Sequence, residues 1–371
     1  MFVQIRSLIS LLALFASVIA YSAELYFPPS GENWETVAPD RVGWNAQALS
    51  DALDVVGDRN SSGIVIVHNG RIMAERYWDG PEDARYRRSL NGLDEQQRAI
   101  EDVASAQKSV VAILAGMAQE RGYLKLDDAV SIYLGAGWSK ANADQEQAIT
   151  LRHLLMMNSG LATDFSYESA PGSVWLYNTP VYHATMRVLM SATGLERNEL
   201  TKSWISDPIG ASNTAWTPRP GRDAAIAVGL STTARDLARF GLMIQAGGRW
   251  GDKVVLEDTD FLADMLSPSQ TLNPAYGFLW WINGQEFALS AGSKATRSEG
   301  KLIPAAPDDL VAMQGAGDRK LYLVPSLNLV VSRLGFYGDK DGVSFNDAFW
   351  TALMQAVPVL SRTYTESNQA E

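Results

Sequence analysis

The hydrophobic positions near the two ends of the chain predict strands. A β-branched run from Ile64 to Val67, an Asn69-Gly70 turn and a second apolar segment from Ile72 to Tyr77 predict an antiparallel hairpin. Near the carboxyl end, the segments Leu321 to Val324 and Leu329 to Leu334 flank a proline-containing turn and predict a second hairpin. Strands are therefore expected at both ends of the chain.

The other periodic segments have apolar residues three and four positions apart, which predicts helices. We expect these helices at Ala46 to Val56, Ser105 to Arg121, Leu151 to Met157, Thr232 to Gln245 and Asn346 to Val357. This segregation predicts an α+β fold, in which the N- and C-terminal strands form one antiparallel sheet flanked by helices. A mainly helical lobe, at about residues 100–250, is expected to be inserted and to leave a cleft beside the sheet.

The amino end resembles an export signal. Arg6 precedes an apolar stretch from Leu8 to Ala20, which is shorter than the ~20 residues that span a bilayer, and small residues follow it. We expect residues 1–23 to be a cleaved signal peptide, residues 24–360 a single domain and residues 361–371 a flexible tail. The protein would then be periplasmic or secreted without a stable membrane anchor, and an uncleaved anchor is the alternative.

Composition narrows the chemistry. The chain is 46% hydrophobic and 20% charged, which is typical of a globular protein. Its net charge of −11 argues against nucleic-acid binding, which needs a basic surface. The absence of cysteine excludes disulfides, thiolate metal sites and a cysteine nucleophile. A small molecule is the expected partner, and the sequence does not predict the oligomeric state.

The histidines do not form a recognisable catalytic or metal-binding pattern. His68, His153 and His183 belong to no HExxH motif and to no other two-ligand spacing, so neither a metal nor another cofactor is expected. The chain also lacks a G-x-S-x-G motif, which disfavours a serine that is activated by histidine.

A lysine can replace histidine as the partner of a serine, and the segment "EDVASAQKSVVAILAG" offers such a pair. Ser105 and Lys108 would lie on one face of a predicted helix, with the Ser105 amide among the unpaired N–H groups of its first turn. The alternative is that Ser105 only caps the helix and Lys108 extends to solvent. A second S-x-x-K match, from Ser298 to Lys301, is interrupted by Gly300 and has no helical pattern after it.

With these residues the chain resembles the serine β-lactamases and penicillin-binding proteins, whose first motif is S-x-x-K. It is most similar to the class C-related branch, which includes esterases, D-amino-acid peptidases and 6-aminohexanoate-dimer hydrolases. Tyr177, Asn178 and Thr179 match the second motif of that branch, although its commonest third residue is asparagine. The stretches "LRHLLMMNSGL", "GLSTTARDLARFGLMIQAGGRW" and "AYGFLWWIN" extend the resemblance over nearly the whole predicted domain. The third motif is replaced by "QGAGDRKLYLVP", which no lysine or histidine opens.

The resemblance implies that Ser105 is the nucleophile of an acyl-enzyme, with Lys108 and Tyr177 as the acid/base pair. Burial would lower the pKa of the lysine, and a nearby ammonium would lower that of the tyrosine. The oxyanion hole would pair the Ser105 amide with an N–H in the third motif, whose candidate residues are Gly315, Gly317 and Asp318. The candidate substrate-binding residues are Thr179, Trp280 and Trp281.

The expected substrate is a small carboxylic ester or amide. A third motif without lysine or histidine argues against a site that must bind a substrate carboxylate, although Arg319 and Lys320 could supply the missing charge. A penicillin-binding D-alanyl carboxypeptidase or a β-lactamase is one alternative. The other is a non-catalytic relative that binds peptidoglycan fragments or a regulator.

Overall fold

The computed structural model describes residues 25–219, 221–222, 227–292 and 294–358. The predicted signal peptide and the predicted tail lie outside these residues. None of the helices in the described ranges is both long and apolar enough to cross a bilayer.

The strands are β1 Ser61–His68, β2 Arg71–Tyr77, β3 Leu90–Leu93, β4 Ala99–Asp102, β5 Ala215–Pro218, β6 Val228–Thr232, β7 Arg249–Trp250, β8 Lys253–Val254, β9 Trp281–Ile282, β10 Phe287–Leu289, β11 Arg297–Glu299, β12 Val311–Gly315, β13 Arg319–Val324 and β14 Leu329–Gly335. The helices are α1 Ala46–Gly57, α2 Ala84–Arg87, α3 Gln107–Glu120, α4 Val130–Leu134, α5 Ala143–Ala148, α6 Leu151–Leu155, α7 Thr179–Thr193, α8 Arg197–Thr201, α9 Asp207–Ile209, α10 Ala234–Gln245, α11 Thr259–Met265 and α12 Phe345–Leu353.

The main sheet joins the two ends of the chain, and the α+β prediction is confirmed. Its strand order is β2-β1-β14-β13-β12-β9, and all neighbours are antiparallel. Strand β1 pairs with β14 in a register that sets Val65 opposite Ser332. Both predicted hairpins are present, because β1 turns into β2 and β13 turns into β14.

Helix α10 packs on this sheet at very short range. Thr233 caps the helix, because its hydroxyl accepts a hydrogen bond from the Asp236 amide at 3.1 Å. On the buried side, a Cβ at Gly241 would lie only 2.6 Å from a methyl carbon of Val330 in β14. Glycine at this position therefore allows the helix to approach the sheet closely.

A second antiparallel sheet, of order β3-β4-β6-β5, was not predicted, and its strands β5 and β6 lie within the predicted lobe. These strands are short, and every residue of β3 is exposed, so no alternation of polar and apolar residues reveals them. Strand β4 ends at Asp102, and after Val103 a 3-10 turn follows at Ala104–Ala106. The small sheet therefore positions the segment that carries Ser105.

The helix predicted from Ser105 begins two residues later, at Gln107. Ala104 has a φ of 51°, in the left-handed region that α-helices do not use. Its backbone N–H is held by the Asp102 carboxylate at 2.8 Å. Because of this conformation the chain makes a tight turn at Ser105 before α3 starts. Twelve residues of α3 are buried, which agrees with its nearly continuous apolar sequence.

Candidate active site

Ser105 and Lys108 form the centre of the site. The Nζ atom of Lys108 lies 3.0 Å from the Ser105 hydroxyl oxygen and 3.1 Å from the Thr179 hydroxyl oxygen. Ser105 is partly exposed, whereas only 1% of Lys108 is accessible to solvent. Ser105 makes no capping hydrogen bond. The alternative of a helix cap with a solvent-exposed lysine is therefore wrong.

Burial adjusts the acid/base properties of this pair. It lowers the pKa of Lys108 to about 7, and the positive charge of Arg219 lowers it further. Burial also raises the pKa of Tyr177 to about 12, and a hydrogen bond with Ser105 only partly opposes this. The expectation that an ammonium would lower the pKa of Tyr177 is therefore wrong, because desolvation of the phenolate outweighs the other effects.

Tyr177 is held by aromatic rings. It stacks on Trp281 with ring centroids 5.7 Å apart, contacts Tyr276 in an edge geometry at 6.1 Å and lies against Trp175 in a tilted geometry at 6.2 Å. The Lys108 amine lies 4.8 Å from the centre of the Tyr177 ring. These rings surround the phenol, which limits its rotation and keeps it beside the serine and the amine.

The two candidate tryptophans have different positions. Trp281 contacts the Tyr177 ring, whereas Trp280 has no exposed surface at all. Trp280 is therefore a core residue in this structure, and its proposed contact with substrate is corrected. Trp175 and Tyr276 were missed as site residues. The only sequence signal was that each lies close to a motif residue along the chain.

The second motif brings Thr179 to the amine. The Asn178 side chain caps α7 by accepting a hydrogen bond from the Val181 amide at 3.2 Å, and its amide group donates to the Leu161 carbonyl at 2.8 Å. Thr179 is the first residue of the capped helix, so its hydroxyl projects from a fixed point toward Lys108. In this position it can hold the lysine amine in place.

The third motif forms the hairpin turn between β12 and β13, and it lies against the Ser105 turn. A Cβ at Gly315 would overlap the Val103 carbonyl oxygen and lie 3.3 Å from the Ala106 nitrogen. Only glycine therefore fits at this contact. Gly317 has a φ of +79°, which glycine adopts without strain in the turn.

Asp318 stabilises the β12–β13 turn through contacts inside the protein. Its carboxylate accepts a hydrogen bond from the Gly338 amide at 2.9 Å and lies 3.3 Å from the Lys320 amine. Its contacts are thus internal, and they give it a supporting place in the motif.

Arg319 and Lys320 are also committed to internal contacts. Arg319 is 3% exposed and donates to the Ala316 carbonyl at 2.8 Å and to Glu101 at 3.4 Å. Lys320 is 5% exposed and donates to Gln314 at 2.8 Å. Both cations are buried in internal contacts, so the geometry does not support the suggestion that they replace the missing lysine or histidine.

The histidines contribute no acid/base group next to Ser105. His153 belongs to the capping box at Thr150, and burial together with the charge of Lys108 lowers the pKa of His183 to about 3. Within the described ranges, no group of three or more histidine, aspartate or glutamate side chains is arranged to hold a metal ion.

Comparison with known proteins identifies the family of the chain. The beta-lactamase family model matches residues 47–334. An uncharacterized protein of Alkalihalophilus pseudofirmus is 23% identical over 350 residues, which cover 85% of this chain and 96% of the relative.

Solved structures share the fold at low sequence identity. A Bacteroides dorei protein assigned as a beta-lactamase superimposes with a TM-score of 0.62 at 18% identity, covering 87% of this chain and 99% of its own. A Bacillus anthracis protein assigned as a 6-aminohexanoate-dimer hydrolase gives 0.57 at 18% identity, with 94% and 86% coverage. A beta-lactamase from Mycobacterium bovis gives 0.56 at 18% identity, with 85% and 98% coverage. Because the family model matches most of the sequence, the chain belongs to the beta-lactamase family of serine hydrolases.

Proposed function

We propose that the protein hydrolyses small carboxylic esters or amides through an acyl-enzyme on Ser105. The observation that carries the proposal is the 3.0 Å contact between the Ser105 hydroxyl and an amine whose pKa is lowered to about 7. With such a pKa a substantial fraction of the amine is neutral near pH 7 and can accept the serine proton, whereas a lysine with an ordinary pKa is almost entirely protonated there.

The two acid/base groups have different tasks in this proposal. As the Ser105 oxygen bonds to the substrate carbonyl carbon, Lys108 accepts the hydroxyl proton. Tyr177, whose raised pKa keeps it protonated, donates its proton to the departing alcohol or amine and recovers a proton from Lys108. Water then attacks the acyl carbon and gives its proton to the same pair, which returns a proton to Ser105 as the acid product leaves.

The oxyanion that forms at the carbonyl needs two N–H donors. The Ser105 amide belongs to the 3-10 turn that leads into α3, and the N–H groups at the start of such a helical segment lack intrahelical acceptors. The contact between Gly315 and this turn supports a second donor from the β12–β13 hairpin. Such donors act by stabilising charge that develops only in the transition state.

The charges around the site favour substrates that do not have a carboxylate for the enzyme to bind. Arg319 and Lys320 are engaged inside the protein, and aromatic rings form the wall next to Tyr177. Neutral esters and linear amides therefore fit the surroundings better than D-peptides or β-lactams. The fold shared with the Bacillus anthracis protein is a reason to include linear amides in a screen.

The test is covalent labelling combined with a substrate screen. Intact-mass analysis should show one fluorophosphonate adduct on the natural chain and none on Ser105→Ala. Hydrolysis of p-nitrophenyl butyrate or a short linear amide should exceed that of nitrocefin. Labelled penicillin that reacts rapidly would instead indicate the carboxypeptidase, and a folded chain that no reagent labels would indicate a non-catalytic binding protein.

A further inference from the structure

A mostly shielded ion pair connects two strands of the small sheet, β4 and β5, to the Ser105 turn. The Arg219 guanidinium donates from Nε to one oxygen of Asp102 at 2.5 Å and from Nη2 to the other oxygen at 2.7 Å. Asp102 ends β4, whereas Arg219 directly follows β5. The pair is bidentate and mostly shielded, with side-chain exposures of 11% and 19%. This geometry is the strongest that an arginine and a carboxylate can form.

The pair holds the chain on both sides of Ser105. On the preceding side, the Asp102 carboxylate also accepts the hydrogen bond from the Ala104 amide at 2.8 Å, where φ is 51°. On the following side, Arg219 donates to the Gln107 side-chain oxygen at 3.0 Å, and the same oxygen accepts from the Leu230 amide at 3.0 Å. A left-handed conformation at a residue other than glycine is costly, so it persists only where the surroundings hold it.

Gly229 makes room for the pair. A Cβ at this position would overlap two guanidinium nitrogens of Arg219 and would lie 2.5 Å from a carboxylate oxygen of Asp102. The backbone of Gly229 does not lie in the left-handed region, so alanine could adopt its conformation. The close approach of the ion pair is therefore the reason for glycine here, and this substitution would displace the pair without removing a charge.

We propose that Asp102 and Arg219 are positioning residues that hold the Ser105 turn in its reactive conformation through Ala104 and Gln107. The inference rests on the proposed function, because it assigns these two residues a part in the acylation of Ser105. Neither residue exchanges a proton with the substrate. They act by fixing the hydroxyl and the amide of Ser105 toward the position of the reacting carbonyl, where small displacements reduce rates strongly.

The charge of Arg219 gives the pair a second, measurable effect. The positive charge of Arg219 lowers the pKa of the Lys108 amine. The other groups around this amine are Ser105, Thr179, Tyr177, Tyr182 and His183. Burial keeps both tyrosines protonated and His183 neutral near pH 7. Loss of the Arg219 charge should therefore make Lys108 easier to protonate.

Three variants separate position from charge. Arg219→Lys keeps the charge but loses the bidentate geometry, Gly229→Ala displaces the intact pair, and Arg219→Gln removes the charge. The matched control is Arg235→Lys, because Arg235 makes a similar bidentate, mostly shielded pair with Glu75 at 2.8 and 2.5 Å. Each chain is measured for fluorophosphonate acylation rate, the pH profile of kcat/KM with p-nitrophenyl butyrate, and thermal unfolding.

We expect Arg219→Lys and Gly229→Ala to slow acylation by about 10- to 100-fold with an unchanged midpoint of the pH profile. Arg219→Gln should slow acylation similarly and also shift the acid limb to higher pH. Arg235→Lys should change only the unfolding temperature. Folded Arg219→Lys and Gly229→Ala chains that acylate at the natural rate would overturn the inference while leaving the proposed function intact.

Two further outcomes also decide the question. If Arg219→Lys and Gly229→Ala both fail to fold while Arg235→Lys folds, the ion pair serves stability, and the positioning inference is wrong. If the natural chain itself is not labelled at Ser105, the proposed function fails and the inference fails with it.

Discussion

The Lys108 amine lies directly behind the Ser105 hydroxyl, 3.0 Å away and almost entirely shielded from solvent. Ser105 itself is partly exposed. A substrate can therefore reach the oxygen, whereas bulk water has little access to the nitrogen. This relationship explains why the chain tolerates a lysine in an otherwise apolar helix, and it leads to the predictions below.

The activity should depend on the protonation of Lys108. Because its pKa is lowered to about 7, kcat/KM should rise with pH through a midpoint near 7 and then reach a plateau. Lys108→Arg should reduce kcat/KM by at least about 100-fold at every pH, because arginine stays protonated. The measurement is a pH profile with p-nitrophenyl butyrate. A natural chain with constant kcat/KM between pH 5 and 9 would contradict the assignment of Lys108 as the base.

Stability should also depend on Lys108. A lysine with a lowered pKa binds fewer protons in the folded chain than in the unfolded chain, where its pKa is near 10.5. Its contribution to the free energy of unfolding therefore increases as pH rises from about 7 toward 10, by up to about 1.4 kcal/mol per unit. Urea unfolding should show that Lys108→Met has a higher free energy of unfolding than the natural chain near pH 7. This difference should become smaller as the pH rises toward 10. A constant difference would contradict the lowered pKa.

Gly315 should be essential for catalysis. In Gly315→Ala the new methyl group would push the β12–β13 hairpin away from the Val103 carbonyl and from the Ser105 turn. If this hairpin supplies an oxyanion donor, kcat should fall by about 10² to 10³. Gly57→Ala is the control, because its close contact is with the Trp78 ring, a side chain outside the site residues named above. Equal losses of activity in both variants would indicate a general packing effect.

Trp281 should matter through Tyr177. Trp281→Leu removes the ring that stacks on the phenol, so kcat should decrease by about 10-fold, whereas Trp281→Phe should retain most of it because a stacked ring remains. Trp280→Phe serves as the control, since this fully buried residue should affect only the unfolding temperature. Hydrolysis rates and thermal unfolding of the three variants would be compared. If Trp280→Phe reduced kcat more than Trp281→Leu, the assignments of these neighbours would have to be exchanged.

The two hairpins of the main sheet could be predicted from the sequence. The hairpins at β1–β2 and β13–β14 have continuous apolar strands with marked turns, so both their existence and their antiparallel pairing follow from the pattern. The start of α3 could not be predicted, because the left-handed Ala104 is imposed by the Asp102 carboxylate rather than by its own side chain. The small sheet was missed because β3 is exposed at every position.

Within the site, too, the sequence could predict the contacts between neighbouring residues but not those between distant elements. Ser105 and Lys108 are three residues apart, so their proximity depends only on local geometry, and the structure brings them together. The contacts with Tyr276, Trp281 and Arg219 depend on elements that are distant in sequence, and a single sequence holds no information on which side chains meet there. The sign of the Tyr177 shift was missed for a related reason, since the degree of burial is a tertiary property.

The pairing of β1 with β14 has a consequence for the order of assembly. The Arg333 guanidinium binds the Ser61 hydroxyl across 272 positions of sequence, and strand β12, which supports the Ser105 turn, lies in the same sheet toward the end of the chain. Contacts at such separations form late, because closing a long loop costs entropy before any contact compensates for it. During synthesis Ser105 would therefore be made long before the strands that support it. The active site would be complete only after β12 to β14 had been made and had joined the sheet.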